Sequence, residues 1–330
     1  MGQEIYILFL VIILIIIMYL SMLTYSRTHG RTFHEDIMPS MYTDIFPEDE
    51  FKGGNEYMNR VSMMRNVVLN ENLVIGGLIY NMEEDKVLML EKRINYISDG
   101  WKSVTIMIYG LDSKEPYSGY LIDWSKRDKR VKLIDSMKGV SWKNKNVFVK
   151  MSHLRNRVHE SLNSINTKDT FFLSMDYDIG GPISRDGLLH ARYLLEDNTL
   201  GAVYANGIVS DSLLNCIPGL KGWCFPGLGY SYYDDLALKI SGDDESKLYK
   251  WFSMTSGRGT KYKEVLSAYG GAGLMRLKVA KDMRYDEANT VCEHYGFNKS
   301  IRDNGLKIIV DPSFILLAGC QGHHITRKVD

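Results

Sequence analysis

In Phe171-Phe-Leu-Ser-Met-Asp176-Tyr177-Asp178, two carboxylates spaced one residue apart follow a run of apolar residues. Side chains alternate along an extended strand, so Asp176 and Asp178 face one side at its carboxyl end. Two hard oxygen ligands in that position suit a hard divalent cation such as Mn2+ or Mg2+. Such a cation can neutralise a diphosphate and stabilise it as a leaving group. A strand running into an Asp-rich turn gives the same local sequence with no chemistry attached. Other familiar site patterns are missing. Neither G-x-G-x-x-G nor a P-loop follows a strand, and Gly76-Gly77 lies inside an apolar run, which speaks against dinucleotide dehydrogenases and P-loop NTPases. There is no Cys-x-x-Cys or His-Glu-x-x-His, so a zinc site has no support.

The elements that must position the pair are legible upstream. Leu73 to Tyr80 is a short apolar run expected as a buried strand, and Asp85 to Tyr96 carries apolar residues at helical spacing. Val104–Tyr109 and Val131–Ile134 read as further strands, with a helix over Tyr117–Trp124 between them. Val147 to Ile165 reads as a longer helix, and Thr170–Met175 as the strand that delivers the carboxylates. Strands alternating with helices predict βαβ units and a mainly parallel sheet. In such sheets ligands bind beyond the carboxyl ends of the strands, where Asp176 and Asp178 fall. The second half is richer in Gly and aromatics, including Gly270-Gly-Ala-Gly273. It closes with a strand, Leu306–Val310, that Asp311-Pro312 is expected to stop.

Length and composition fit this architecture. The chain has 330 residues, 45% of them hydrophobic, and four Cys, so an apolar core rather than a disulfide scaffold must hold it. Forty basic residues balance forty acidic ones, which removes the bulk electrostatic case for nucleic acid as a partner. From Ile5 to Ser26 no residue is charged, long enough to cross a bilayer. With no basic start and no small-residue cleavage pattern, residues 1–26 are expected to be a retained membrane anchor rather than a cleaved signal peptide. Arg27, His29 and Arg31 after the span would place the body in the cytosol by the positive-inside rule. The sequon Asn298-Lys299-Ser300 and the even number of Cys lean toward a lumenal body. Residues 27–70 are polar and read as an irregular stem.

The ordered set of these segments resembles the GT-A fold of nucleotide-sugar-dependent glycosyltransferases, over roughly residues 72–315. Lys150-Met-Ser-His-Leu-Arg155-Asn156-Arg157 resembles the helix with an Arg-Asn pair that precedes the Asp-x-Asp strand in the fungal capsule-associated α-1,3-mannosyltransferase-like family. Cys292-Glu293-His294 and the later Gly305-Leu-Lys-Ile-Ile-Val-Asp-Pro312 resemble that family's Cys-Glu-His segment and following strand. Gly270–Gly273 falls where such enzymes carry a Gly-rich turn. The resemblance implies a GT-A domain over 71–330, with a nucleotide half at 71–179 and an acceptor half at 180–330. The donor would be a GDP- or UDP-sugar, and the acceptor a hydroxyl of a glycan, protein or lipid. Anchor plus stem match a type II membrane protein of an ER/Golgi-like membrane. A non-catalytic, membrane-tethered carbohydrate-binding or scaffold protein of the same fold is the alternative.

Residue roles follow from this resemblance and from the chemistry of the side chains themselves. Asp176 and Asp178 would hold the cation and diphosphate, and Arg155 would reach the nucleotide or phosphate through its planar guanidinium, unless it is an ordinary surface arginine. Glu293 would be the general base on the acceptor hydroxyl; it could instead favour a helix start by its charge, or orient substrate if configuration is retained. Asp234 and Asp235, after Tyr230-Ser-Tyr-Tyr233, would bind the acceptor, or cap the segment Leu236–Lys239. Trp223 would stack on a sugar or pack, and His323 would supply a third metal ligand or stand idle near the C-terminus.

Overall fold

The computed structural model describes residues 9–18, 43–51, 53–110, 114–134, 146–210, 230–241, 258–288 and 291–320. The alternation read from sequence is present: β1 (Asn72–Ile79), α2 (Glu84–Ser98), β2 (Ser103–Gly110), α3 (Tyr117–Arg127), β3 (Val131–Ile134), α4 (Val147–Ser161) and β4 (Thr170–Met175), with α1 (Asn55–Val67) ahead of them. After β4 come α5 (Arg185–Leu194), β5 (Leu200–Ser210), β6 (Tyr230–Tyr232), β7 (Lys263–Val265), β8 (Ala272–Arg276), α6 (Leu277–Asp282), α7 (Glu293–Asp303) and β9 (Lys307–Cys320).

Among the described residues these strands form a nine-stranded sheet in the order β3-β2-β1-β4-β8-β5-β9-β7, with β6 against β5. The first four strands are parallel, as expected. The remainder is mixed: β8 runs antiparallel to both β4 and β5, β7 is antiparallel to β9, and only the long β5–β9 pair is parallel. A mainly parallel sheet therefore holds for the first half alone. The order reverses between β1 and β4, both leaving from the sheet's centre, which makes their carboxyl ends the crevice where doubly wound sheets bind ligands.

Two apolar layers flank the sheet. Leu73, Ile75 and Ile79 of β1 and Phe171, Leu173 and Met175 of β4 pack under α1, α2, α3 and α5. Val74, Leu78 and Phe172, one residue out of phase, pack under α4, α6 and α7. This period of two assigns a face to each residue of β4. It sends Phe172, then Ser174, then Asp176 toward α4 and α7.

Three sequence expectations change. The segment 27–70 is not an irregular stem where it is described. Tyr57, Val61 and Met64 of α1 are buried in the core, as are Phe46 and Phe51 before it. Glu48 accepts hydrogen bonds from Ser184 Oγ and the Asp186 N–H at the start of α5, each at 3.1 Å, and pairs with the buried Arg258 at 2.6 Å. Asp311-Pro312 does not stop the last strand either. β9 continues to Cys320, and the register jumps so that Ala205 opposes Asp311 while Asn206 opposes Ile315. The bulge takes up Pro312, which has no N–H for the ladder. Buried Asp311 is satisfied by His190 Nδ1 at 2.8 Å and the Ser313 N–H at 2.9 Å. Finally, Asn298 is fully buried. Its amide donates to the Ala268 carbonyl at 2.8 Å and accepts from the Tyr204 hydroxyl at 2.5 Å, so the sequon does not offer a glycan attachment point in the folded chain.

The expected anchor over 1–26 lies largely outside the described residues. Residues 9–18 are helical, and the large apolar side chains there, from Phe9 to Met18, are mostly exposed. Among the described residues no helix is long and apolar enough to cross a membrane.

Candidate active site

β4 ends at Met175, and the chain turns at Tyr177 and Asp178. Tyr177 points into the core, its hydroxyl donating to the Met107 carbonyl at 3.1 Å. Asp176 is partly buried and Asp178 exposed. The backbone holds Asp176 in place, since its N–H donates to the Gly271 carbonyl at 2.9 Å. Gly270 and Gly271 turn there with φ of +61° and +81°. A Cβ on Gly270 would come within 2.1 Å of the Ala205 carbonyl oxygen, so only glycine fits that turn.

α4 supplies the group that faces Asp176. Asn146 caps the helix, accepting from the Phe148 N–H at 2.8 Å. Its buried face carries Ser152, Arg155, Asn156 and His159, polar residues at apolar spacing. Each has a specific partner. Asn156 bonds the Tyr285 backbone both ways, accepting from its N–H at 2.8 Å and donating to its carbonyl at 3.0 Å. His159 donates from Nδ1 to the Ala280 carbonyl at 2.7 Å, and burial depresses its pKa to about 4.

Arg155 is the hub. Nη2 donates to Asp176 Oδ1 at 2.9 Å, Nε to Glu293 Oε1 at 3.4 Å and Nη1 to the Tyr269 hydroxyl at 3.4 Å. The guanidinium lies 5.0 Å from the Tyr269 ring centroid and 5.9 Å from that of Tyr285. Burial alone would weaken its proton affinity; Tyr269, Asp176, Tyr285 and Glu293 outweigh that and hold it charged. The expectation that Arg155 reaches out to a phosphate does not match this placement, because its fork is already turned onto carboxylates within the protein. It is equally not a surface arginine.

Glu293 is the first residue of α7 and buried. Both sequence readings meet here: it lies in the first turn, where the helix dipole favours a carboxylate, and it faces the Asp176 cluster. Burial raises its pKa, with Arg155 pulling in the opposite direction. His294, next in the chain, stacks on Tyr269 with ring centroids 3.8 Å apart and planes 17° from parallel. Its Nε2 lies 3.5 Å from Glu293 Oε1 and 4.0 Å from Asp234 Oδ2, while among the described residues Nδ1 has no hydrogen-bond partner. Burial pushes its pKa far down, so it is a neutral ring.

Asp234 thus joins the cluster from a third direction, in a left-handed turn with φ of 65°. The preceding Tyr233 donates to Asp176 Oδ2 at 3.5 Å. Its hydroxyl is held protonated by burial and by the charges of Asp176, Asp178 and Asp234. Asp235 begins a short 3-10 turn, Asp235–Ala237, in which the Ala237 N–H bonds the Asp234 carbonyl. Trp223 and His323 lie outside the described residues. The structure therefore brings Asp176, Asp178, Asp234 and Glu293 to one place. To these it adds Tyr233, Tyr269, Tyr285, His294 and Ser174, whose Oγ sits 3.2 Å from the Tyr269 hydroxyl.

A hard cation fits at Asp176 and Asp178 within limits. Among the described residues no group of three His, Cys, Asp or Glu is arranged to enclose a metal. Two neighbouring carboxylates just past a strand end, one of them exposed and both acting on Tyr233, match the open kind of site that Mg2+ or Mn2+ shares with substrate phosphates and water.

No protein-family model and no curated protein matches the chain. Among solved structures, it is similar to the mannosyltransferase PcManGT from Pyrobaculum calidifontis in complex with GDP-Man and Mn2+. That likeness has a TM-score of 0.44 and 11% identity, and covers 79% of this chain and 65% of the other. It is also similar to GalNAc-T7 with UDP, GalNAc and Mn2+, with a TM-score of 0.46 and 11% identity over 78% of this chain and 46% of that one. Likeness at this level assigns neither substrate nor residue roles.

Proposed function

We propose that the chain is a membrane-anchored, cation-dependent glycosyltransferase. It moves a sugar from a nucleotide-diphosphate donor, a GDP- or UDP-sugar, to a hydroxyl of a glycan, protein or lipid. One observation carries the reading: an exposed Asp178 beside Asp176 at the β1–β4 switch point, with a buried, destabilised carboxylate, Glu293, joined to the same cluster through Arg155.

Asp176 and Asp178 would hold Mn2+ or Mg2+, which supplies charge neutralisation for the departing diphosphate. Glu293 takes the proton of the acceptor hydroxyl as the new carbon–oxygen bond forms and the sugar–phosphate bond breaks. A raised pKa suits a carboxylate to that task near neutral pH. Asp234 and the Tyr233 ring offer a hydroxyl acceptor and an aromatic face for the incoming sugar. The anchor would be the uncharged stretch from Ile5 to Ser26, giving a type II protein of an ER/Golgi-like membrane.

The test is a thermal-shift screen of the full chain in detergent against UDP- and GDP-sugars, with and without Mn2+, followed by donor consumption. A ligand that binds the native state raises the melting point by mass action. The reading expects a cation-dependent shift with one nucleotide and consumption of that donor. Sugar binding with no donor consumed would favour the non-catalytic alternative, and no response to any donor would remove the nucleotide-sugar reading.

A further inference from the structure

The inference rests on the cation reading above and concerns how the two halves of that site communicate. We propose that Arg155 is a positioning residue that couples cation occupancy at Asp176 to the hold on Glu293. Its donors are fixed in one rigid plane. Nη2 bonds Asp176 at 2.9 Å and Nε bonds Glu293 at 3.4 Å, so a single guanidinium holds both carboxylates. The Tyr269 and Tyr285 rings support that plane, and the Tyr269 hydroxyl takes the third bond. Asp176 is also fixed from behind through its own N–H on Gly271, so a change in its charge acts on Arg155 rather than on the turn.

The sign follows from charge. A divalent cation on Asp176 draws that carboxylate's charge away from Arg155 and repels the guanidinium. The guanidinium then leans on Glu293, its nearest alternative. By reciprocity, an ionised Glu293 that can accept Arg155 makes Asp176 a better cation ligand. Donor-side loading and the orientation of the proposed base are then one event. Among the described residues Glu293 forms no metal-holding group with Asp176 and Asp178, so a purely structural Glu293 would leave cation affinity alone.

Cation affinity, measured with Mn2+ alone by electron paramagnetic resonance, provides the test in a double-mutant cycle. Glu293→Gln should weaken Mn2+ binding about fivefold, within the usual range of coupled sites. In an Arg155→Lys background, where one ammonium cannot span both carboxylates, the same change should cost less than about twofold. An equal or larger penalty in that background would mean that Glu293 acts directly through space, and the proposal falls while the cation reading stands. In the wild-type protein, saturating Mg2+ should also move the Arg155 Nε–H NMR signal; a signal that stays put overturns the coupling without any variant. Wild-type protein that binds neither cation removes the proposed function and this inference with it.

Discussion

Asp178 stands exposed beside a partly buried Asp176, so the two carboxylates can be separated by mutation. Because its side chain is exposed, Asp178→Ala should change stability by no more than about 0.5 kcal/mol. Donor consumption should fall at least roughly a hundredfold, the scale on which electrostatic stabilisation of a departing group acts. Retained cation-dependent turnover in that variant would remove Asp178 from the metal role. Glu293 gives a separate signature. Burial raises its pKa above 4.5, and a base works only when deprotonated, so the acid limb of the rate profile should lie above the ordinary glutamate range. A profile flat down to pH 4.5 would contradict that role. Asp176 and Asp178 are legible in sequence because their spacing and the strand before them are local. The setting of Arg155 is not, since Tyr269 and Glu293 arrive from 114 and 138 residues away. His294 adjoins Glu293, yet only the fold stacks it on Tyr269.

At the scale of elements, α4 is clamped to α6 and to the segment that follows it by polar bonds rather than by apolar contact alone. His159 sits there as a neutral ring, edge-on to Phe172, Tyr285 and Phe297. Its pKa is about 4 in the fold against 6.5 ordinarily. Below 6.5 the unfolded chain takes up a proton that the folded chain refuses, so stability is lost as pH falls from 6.5 toward 4. Urea unfolding at pH 7 and pH 5 should show a loss of about 2 kcal/mol from this residue. His294 acts in the same direction. His159→Gln should reduce the difference between the two pH values, and an unaltered difference would exclude His159 as its source. Helices and strands up to β4 are readable because each carries its own period. Two features of the second half escape such reading. β8 runs against its neighbours, which no local pattern dictates, and β9 passes through Pro312 because a bulge and the buried His190–Asp311 pair make room for it.

For the whole molecule, the N-terminal segment is part of the body. The few apolar residues between 43 and 70 are diluted by charge, which is why composition reads it as stem, but Phe46, Phe51, Tyr57, Val61 and Met64 are buried. Glu48 closes the end of α5 and neutralises Arg258, whose side chain is 1% exposed. Glu48→Ala should destabilise the protein by about 3–5 kcal/mol, because it leaves a buried guanidinium without its carboxylate. A chain started at residue 71 should lose its cooperative thermal transition altogether. Cooperative melting of that shortened chain would restore the stem reading.

The insertion of β8 has a consequence for how the chain comes into being. β4 and β5 are complete by residue 210, yet the strand that lies between them is residues 272–276. While the nascent polypeptide leaves the ribosome, both therefore present bare edges to their surroundings, an adhesive interval in which other chains can pair with them. That interval ends only when the late strand wedges in and β9, later still, covers the far edge of β5, so almost the whole chain must emerge before the sheet is closed.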